Sequence, residues 1–245
     1  RRVLFRSKQP IPVQPTAHYA MGGIPTNHLG QVVIDENNTI LPGLYAAGET
    51  ACVSVHGANR LGTNSLLDLI VFGKHAGLDA AAYAGRAGLQ PLPKDAAEPV
   101  IDRLNLLRTA DGSEKPADLR NEMREVMSRD VGVFRTEGGL QEAAQRIEEL
   151  RQRYRHVKVS DPGSRYNMEL MGVWEMGNLL DLALVTSRSA LARRESRGAH
   201  SREDYPRRND QDWLKHTLAW LEESTVRLAY KPVRMTHFEL KERTY

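Results

Sequence analysis

Residues Leu41–Phe72 read LPGLYAAGETACVSVHGANRLGTNSLLDLIVF. Leu44–Ala47, inside the small apolar run Gly43-Leu44-Tyr45-Ala46-Ala47-Gly48-Glu49, predicts a short buried strand that ends in Gly-Glu. Small residues there let another body approach the backbone closely. The loop that follows carries Ser54, His56, Asn59 and Arg60, dense hydrogen-bonding chemistry for one surface. Gly62-Thr63-Asn64-Ser65 leads into the apolar run from Leu66, and Ser65 with Asp68 comes close to a capping-box pattern. A helix starting there aims free backbone N–H groups, and a partial positive charge, at whatever lies in front of it.

Upstream, Gln31–Ile34 and Thr39–Leu41, separated by Asp35-Glu36-Asn37-Asn38, predict a hairpin that delivers the chain to the Leu44–Ala47 strand. Asp and Asn suit such a turn because they tolerate a left-handed backbone and bond locally. From Gln9 to Ile34 there is no Asp, Glu, Lys or Arg. Pro10, Pro12, Pro15 and Pro25 break any helix, so this stretch predicts an extended, largely buried loop and excludes a membrane span. His18 stands in its middle, where the residues alone read as a hydrogen-bonded core histidine. Downstream, the helix continues through Lys74, His75 and Ala80–Ala84 to Gly85. Gly73 and Gly77 cost it propensity and fit a helix packed tightly on a sheet. Gln90-Pro91-Leu92-Pro93 marks a domain boundary.

The middle of the chain is helical by periodicity. Val100, Leu104 and Leu107 share one face; Leu119, Met123, Val126 and Met127 follow Pro116; Leu140, Ala144, Ile147 and Tyr154 mark a third helix. A longer pattern runs from Asn167 to about Ala192, with Glu169, Glu175 and Asp181 excluding a membrane span. Short loops between such helices predict a small antiparallel bundle. Arg193–Asp210 is arginine-rich, but Glu195, Glu203, Asp204 and Asp210 interleave. That pattern fits either a solvated salt-bridged surface or a structural ion-pair network facing the first domain. Val226, Leu228, Tyr230, Val233 and Met235, broken by Pro232, predict an irregular pair of edge strands.

The 245 residues are 40% hydrophobic and 27% charged with a formal net charge of +3, an ordinary globular balance that gives no argument for nucleic acid. The single cysteine, Cys52, excludes an intrachain disulfide and reads as a buried inert thiol. The chain starts RRVLFRS without Met or a clear targeting segment, which suggests a truncated start. No G-x-G-x-x-G follows a strand; Gly22-Gly23 runs into Ile24-Pro25.

GLYAAGE followed by HGANRLGTNSLLD resembles the flavoprotein subunit of succinate dehydrogenase and its relative fumarate reductase. PTAHYAMGGIPTN (Pro15–Asn27) and RRESRGAHSREDYPRRND (Arg193–Asp210) belong to the same pattern, in the same order. The resemblance implies FAD as cofactor, with Glu49 bonding its sugar-like chain and Ser65 and Leu66 opening the helix that faces the flavin ring. It implies a dicarboxylate substrate, succinate or fumarate, held by His18 and Arg60. It places the proton-transfer arginine and the FAD-linking histidine upstream, so no catalytic residue is assigned here and this chain alone is expected to be inactive. It implies an iron–sulfur subunit and membrane-anchor subunits as partners, and a peripheral location on the cytoplasmic face of the inner membrane.

Chemistry agrees on Arg60: a planar guanidinium grips a carboxylate through two parallel bonds, which Lys cannot do. Its alternative is a structural pair with Glu49 or Asp68. At the level of the chain, L-aspartate oxidase shares Ser196-Arg197-Gly198 with His200 and Arg202, and a non-catalytic folding or interaction module also remains open. The expected fold class is α/β. Residues 1–91 form the C-terminal part of an FAD-binding domain, 92–196 an antiparallel helical bundle, and 197–245 a small irregular β tail.

Overall fold

The computed structural model describes residues 18–89, 91–223, 225–236 and 239–241. The opening RRVLFRS, the charge-free stretch before His18, Gln90 of the predicted boundary and Glu242–Tyr245 lie outside them. Strands β1 (Ile24–Pro25), β2 (Gln31–Val33) and β3 (Ile40–Tyr45) precede a single 3-10 turn at Gly48–Thr50 and strand β4 (Ala51–Cys52). β2 and β3 form the predicted hairpin, Gln31 opposite Tyr45 and Val33 opposite Ile40, while β1 pairs with β4 in parallel. The hairpin turn needs no glycine. Asp35 Oδ1 accepts the backbone N–H groups of Asn37 and Thr39 at 2.9 Å, and Asn38 takes the left-handed conformation at φ 66°.

Three expectations change here. The second hairpin strand and the Leu44–Ala47 strand are one element, β3, and most of it is exposed rather than buried. Gly43, at φ 84°, lets the extended chain pass through what looked like a break. Helix α1 (Asn64–Arg86) packs on β3 and the 3-10 turn, but a Cβ added at Gly73 or Gly77 would meet no neighbouring element within 4 Å. The close approach is made from the other side by Gly30, where a Cβ would stand 2.5 Å from the Ala76 methyl. The near capping box does not form either: Thr63 begins α1 at φ 69° with no side-chain cap, and Asp68 turns into the protein.

Helices α2 (Glu98–Arg108), α3 (Pro116–Asp130), α4 (Glu137–Tyr154) and α5 (Met168–Ala192) follow the periodicity closely. Thr136 caps α4 by accepting from Gly139 N–H, and Asn167 caps α5 by accepting from Leu170 N–H at 2.7 Å. Leu119, Met123 and Val126 of α3, Leu140, Ile147 and Leu150 of α4, and Val173, Met176, Leu180 and Leu184 of α5 form one buried core. Each fully buried Leu or Ile contributes about 1.5–3 kcal/mol. α4 and α5 meet closely because Gly177 leaves room for the Tyr154 phenol, whose hydroxyl donates to Val173 O at 2.9 Å.

After the short helix α6 (Asp210–Trp213), the tail is more regular than predicted. Strands β5 (Lys215–Glu222) and β6 (Thr225–Pro232) pair antiparallel along their whole length, from Lys215 opposite Pro232 to Glu222 opposite Thr225. Pro232 closes the last pair and interrupts nothing. Leu218 is buried, and Leu221 and Val226 pack against the bundle core, so the hairpin lies on α5. Among the described residues no helix is long and apolar enough to cross a membrane.

The arginine-rich segment is an ion-pair network, largely out of solvent. Arg202 is 0% exposed, and its guanidinium grips Asp204 through two bonds of 2.7 Å. Its remaining N–H groups donate to the carbonyls of Ala190, Leu191 and Arg193, which end α5. Asp204 in turn accepts Glu137 N–H at 2.8 Å, the first residue of α4. A cation thus sits at one helix C-terminus and an anion at another N-terminus, each matching the local dipole. Glu195, also 0% exposed, takes bonds from Arg193, Arg197 and the Asn209 N–H, and Arg197 reaches on to Asp210. Arg202→Met removes the cation of Asp204 and the guanidinium donor of the Ala190, Leu191 and Arg193 carbonyls. It is expected to lower unfolding free energy by about 3–5 kcal/mol, read by denaturant titration.

His200 lies inside this network. Its Nδ1 accepts from Arg135 at 2.8 Å and its Nε2 donates to Arg193 O at 3.1 Å, so the ring is neutral. Burial, reinforced by Arg135, Arg193 and Arg202, lowers its pKa to about 4. The hydrogen bonds from Arg202, together with the Glu137 N–H, hold Asp204 down to about 2. The unfolded chain protonates His200 near 6.5 and the folded chain only near 4, so its contribution is intact above pH 6.5 and is lost as pH falls to about 4. Asp204 contributes above about 3.8 and loses that contribution as pH falls to about 2. Thermal melts from pH 7 to 4 should therefore fall less steeply in His200→Gln than in the parent chain, and the two should converge in slope below pH 4.

Candidate functional site

The loop between β4 and α1 carries the site. Its backbone is held from the far end of the chain. Ala199 N–H donates to Ala58 O at 2.9 Å, and Gly198, at φ 58°, lies so close that a Cβ would stand 2.6 Å from the Ala58 carbonyl. Ser54 Oγ lies 2.9 Å from His216 Nε2 on β5. Loop 54–60 is thus clamped by the arginine-rich segment and by the tail hairpin, and Arg60 leaves it just before α1 begins.

The other wall is the segment around Tyr19. Tyr19 places its ring under Arg60, with the guanidinium carbon 4.8 Å from the ring centroid. The Tyr19 hydroxyl lies 3.3 Å from His56 Nε2 and 3.5 Å from Asp68 Oδ2. His56 Nε2 donates to Asp68 Oδ2 at 3.0 Å, and the two rings meet edge to face at 5.3 Å. Next in the chain, Ala20 N–H donates to Glu49 Oε1 at 3.0 Å. Burial pushes the Tyr19 phenol above its ordinary pKa, and the Asp68 and Glu49 carboxylates push the same way. Burial also raises the Cys52 thiol, consistent with an inert cysteine.

The structure therefore gathers the segments that hold the sequence-derived site residues. Arg60 is partly buried, donates from Nη1 to Leu61 O at 3.3 Å, and keeps Nε buried without a partner. Neither Glu49 nor Asp68 pairs with it: Glu49 turns to Ala20 and Asp68 to His56. Among the described residues Arg60 makes no ion pair. His18 is exposed beside Tyr19, at the rim of the same loop. Glu49 is exposed in the 3-10 turn, and Ser65 and Leu66 lie in the uncapped first turn of α1, Leu66 with 64% of its surface free. Sequence reasoning missed Tyr19, and it took Asp68 for a helix cap or an arginine partner. The only local signal was Tyr19 beside His18 in a stretch without charge. Among the described residues no His, Cys, Asp and Glu gather as a metal site.

Residues 120–245 match the family described as fumarate reductase flavoprotein C-term, and residues 2–66 match the FAD binding domain. The succinate dehydrogenase flavoprotein subunit of Rickettsia bellii is 51% identical over 94% of this chain and 39% of its own length. The fumarate reductase flavoprotein subunit of Haemophilus influenzae is 41% identical over 97% of this chain and 39% of its own. The FrdA chain of E. coli quinol fumarate reductase superposes with a TM-score of 0.85 at 41% identity, covering 95% of this chain and 39% of that one. The chain thus spans about 39% of the length of these relatives. It belongs to the flavoprotein-subunit family of succinate dehydrogenase and fumarate reductase.

Proposed function

We propose that this chain supplies the dicarboxylate-gripping and flavin-facing part of a flavoprotein that oxidises succinate to fumarate. The observation that carries the reading is Arg60: a guanidinium with no carboxylate partner among the described residues, stacked on Tyr19 and held on a clamped loop. A charge left so is suited to a ligand carboxylate, which it can bind through two parallel bonds. His18, exposed beside Tyr19, is placed to donate to a second oxygen of the same ligand.

The residues present fit FAD. The first turn of α1 has no side-chain cap; its Asn64 and Leu66 N–H groups bond the carbonyls of Leu61 and Thr63. Leu66 and the exposed Ile70 give that end an apolar surface for a flat ring. Glu49 has one carboxylate oxygen engaged by Ala20 and is otherwise exposed, ready to accept a hydroxyl of the cofactor chain. When bound, FAD takes up the hydride that leaves one substrate methylene. This chain's own part is binding and orientation. Arg60 and His18 fix the substrate carboxylates, and the α1 N-terminus favours negative charge in front of it. The proton leaving the neighbouring carbon is taken by a group outside this chain.

Electrons then pass to an iron–sulfur subunit and on to quinone, and attachment to the cytoplasmic face of the inner membrane runs through partner subunits.

In the full-length flavoprotein, Arg60→Lys keeps the charge and loses the fork. A charge-assisted hydrogen bond contributes about 1.5–3 kcal/mol, so kcat/KM for succinate should fall roughly tenfold to a hundredfold. Flavin content and melting temperature should hold. Near-normal kcat/KM, or a loss that tracks unfolding, would show that Arg60 is structural. His18→Ala should raise the KM for succinate with flavin content retained; an unchanged KM removes His18 from the site.

A further inference from the structure

The role proposed for Arg60 leaves one feature unused: a buried carboxylate two turns away that does not pair with it. Asp68 is 4% exposed, on the inner face of α1. A buried carboxylate is costly unless it is well partnered, and Arg60, two turns upstream, is the cation that the sequence offers. The structure gives its Oδ2 other partners and leaves Oδ1 buried without one. Asp68 Oδ2 takes His56 Nε2 at 3.0 Å and faces the Tyr19 hydroxyl at 3.5 Å. Tyr19, in turn, lies between this carboxylate and Arg60, with its hydroxyl toward Asp68 and its ring against the guanidinium.

We propose that Asp68 is a positioning residue for the substrate-binding arginine, acting through Tyr19 and His56. The inference rests on the reading of Arg60 as the carboxylate-binding group. Its logic is steric and electrostatic. A direct Asp68–Arg60 pair would neutralise the guanidinium and compete with the substrate for its fork. Interposing a phenol ring keeps the carboxylate out of the fork while the ring face holds the cation. The ring can do this only if it is fixed. Its hydroxyl is held by Asp68 and His56, and the edge-to-face contact at 79° sets its tilt. Asp68 is rigid because it belongs to a 23-residue helix, and His56 is rigid because its loop is clamped at Ala58. The orientation of Arg60 is therefore transmitted from the helix through two rings and does not depend on the substrate to create it. A preorganised arginine spends less of its binding energy on ordering itself.

The test uses the full-length, FAD-loaded flavoprotein with malonate as a non-reacting dicarboxylate probe, its dissociation constant read from the change in flavin absorption. Melting temperature and flavin content are measured in parallel. Asp68→Asn keeps the volume and removes the charge, and should weaken malonate about tenfold. Asp68→Glu should recover part of that loss. Tyr19→Phe keeps the ring and removes the anchor, and should weaken malonate about three- to tenfold, one hydrogen bond's worth. Flavin content and melting temperature should change little in Tyr19→Phe, which decides the matter if Asp68→Asn fails to fold. If Arg60→Lys weakens malonate but Tyr19→Phe stays within twofold of the parent, or if every loss tracks a fall in melting temperature, Asp68 and Tyr19 are fold residues and the proposal is overturned. If Arg60→Lys itself leaves malonate binding unchanged, the reading of Arg60 fails instead.

Discussion

The pairing of buried Arg202 with Asp204 is the contact on which the rest of this structure depends. It ties the C-terminus of α5 to the N-terminus of α4, the two helices that share most of the core. One charged couple adds bonds to three carbonyls and one N–H at helix ends, where intrahelical partners run out. Taking Arg202 out of water is expensive, and only its full set of bonds makes it tolerable. That requirement places the whole Arg193–Asp210 segment against the bundle. Gly198 and Ala199 then reach loop 54–60, and the tail hairpin adds Ser54 to His216. The geometry of loop 54–60 is thus set by residues more than a hundred positions downstream.

The chain uses arginine in two opposite ways. Arg193, Arg197 and Arg202 are matched to Glu195, Asp210 and Asp204, and their planar forks serve several acceptors at once. His200 stays neutral among them because burial disfavours its charged form and Arg135, Arg193 and Arg202 repel a further cation. Arg60 stands apart, with an aromatic face beneath it and no carboxylate among the described residues. The first arrangement stabilises the fold, and the second leaves charge free for a ligand. Placing a phenol ring between Arg60 and the nearby Asp68 keeps the two uses separate.

The exposed surfaces of β3 and α1 follow from the same division of labour. β3 is open along most of its length, and α1 shows Leu66, Leu67, Ile70 and Leu78. The bundle, by contrast, buries its apolar faces on itself. The part of the chain before the bundle, whose residues 2–66 match an FAD-binding domain, leaves β3 and apolar residues of α1 exposed, and the bundle supplies the buried core.

The sequence by itself determined the helices, the first hairpin, the family and the residues expected to meet flavin and substrate. Helical periodicity is local and repeats every few residues, so Leu119 to Leu184 announce their faces without help from distant contacts. The motifs around Arg60 and His18 were legible through their resemblance to the family; on the residues alone His18 read as a core histidine. What only the tertiary structure decided are the pairings across long separations. Asp68 read as a cap because capping is a local pattern, whereas its real partners are 12 and 49 positions away. Gly73 and Gly77 read as packing sites, but the close approach belongs to Gly30, since which face of a helix meets a strand is not written in the helix. Lys215–Glu222 carried too weak an alternation to be seen as a strand, and its regularity comes from pairing with β6 and from the α5 surface beneath it. Whether the arginines of 193–210 were surface or core was undecidable from composition, because burial of a charge depends on a complete shell of partners that only folding assembles.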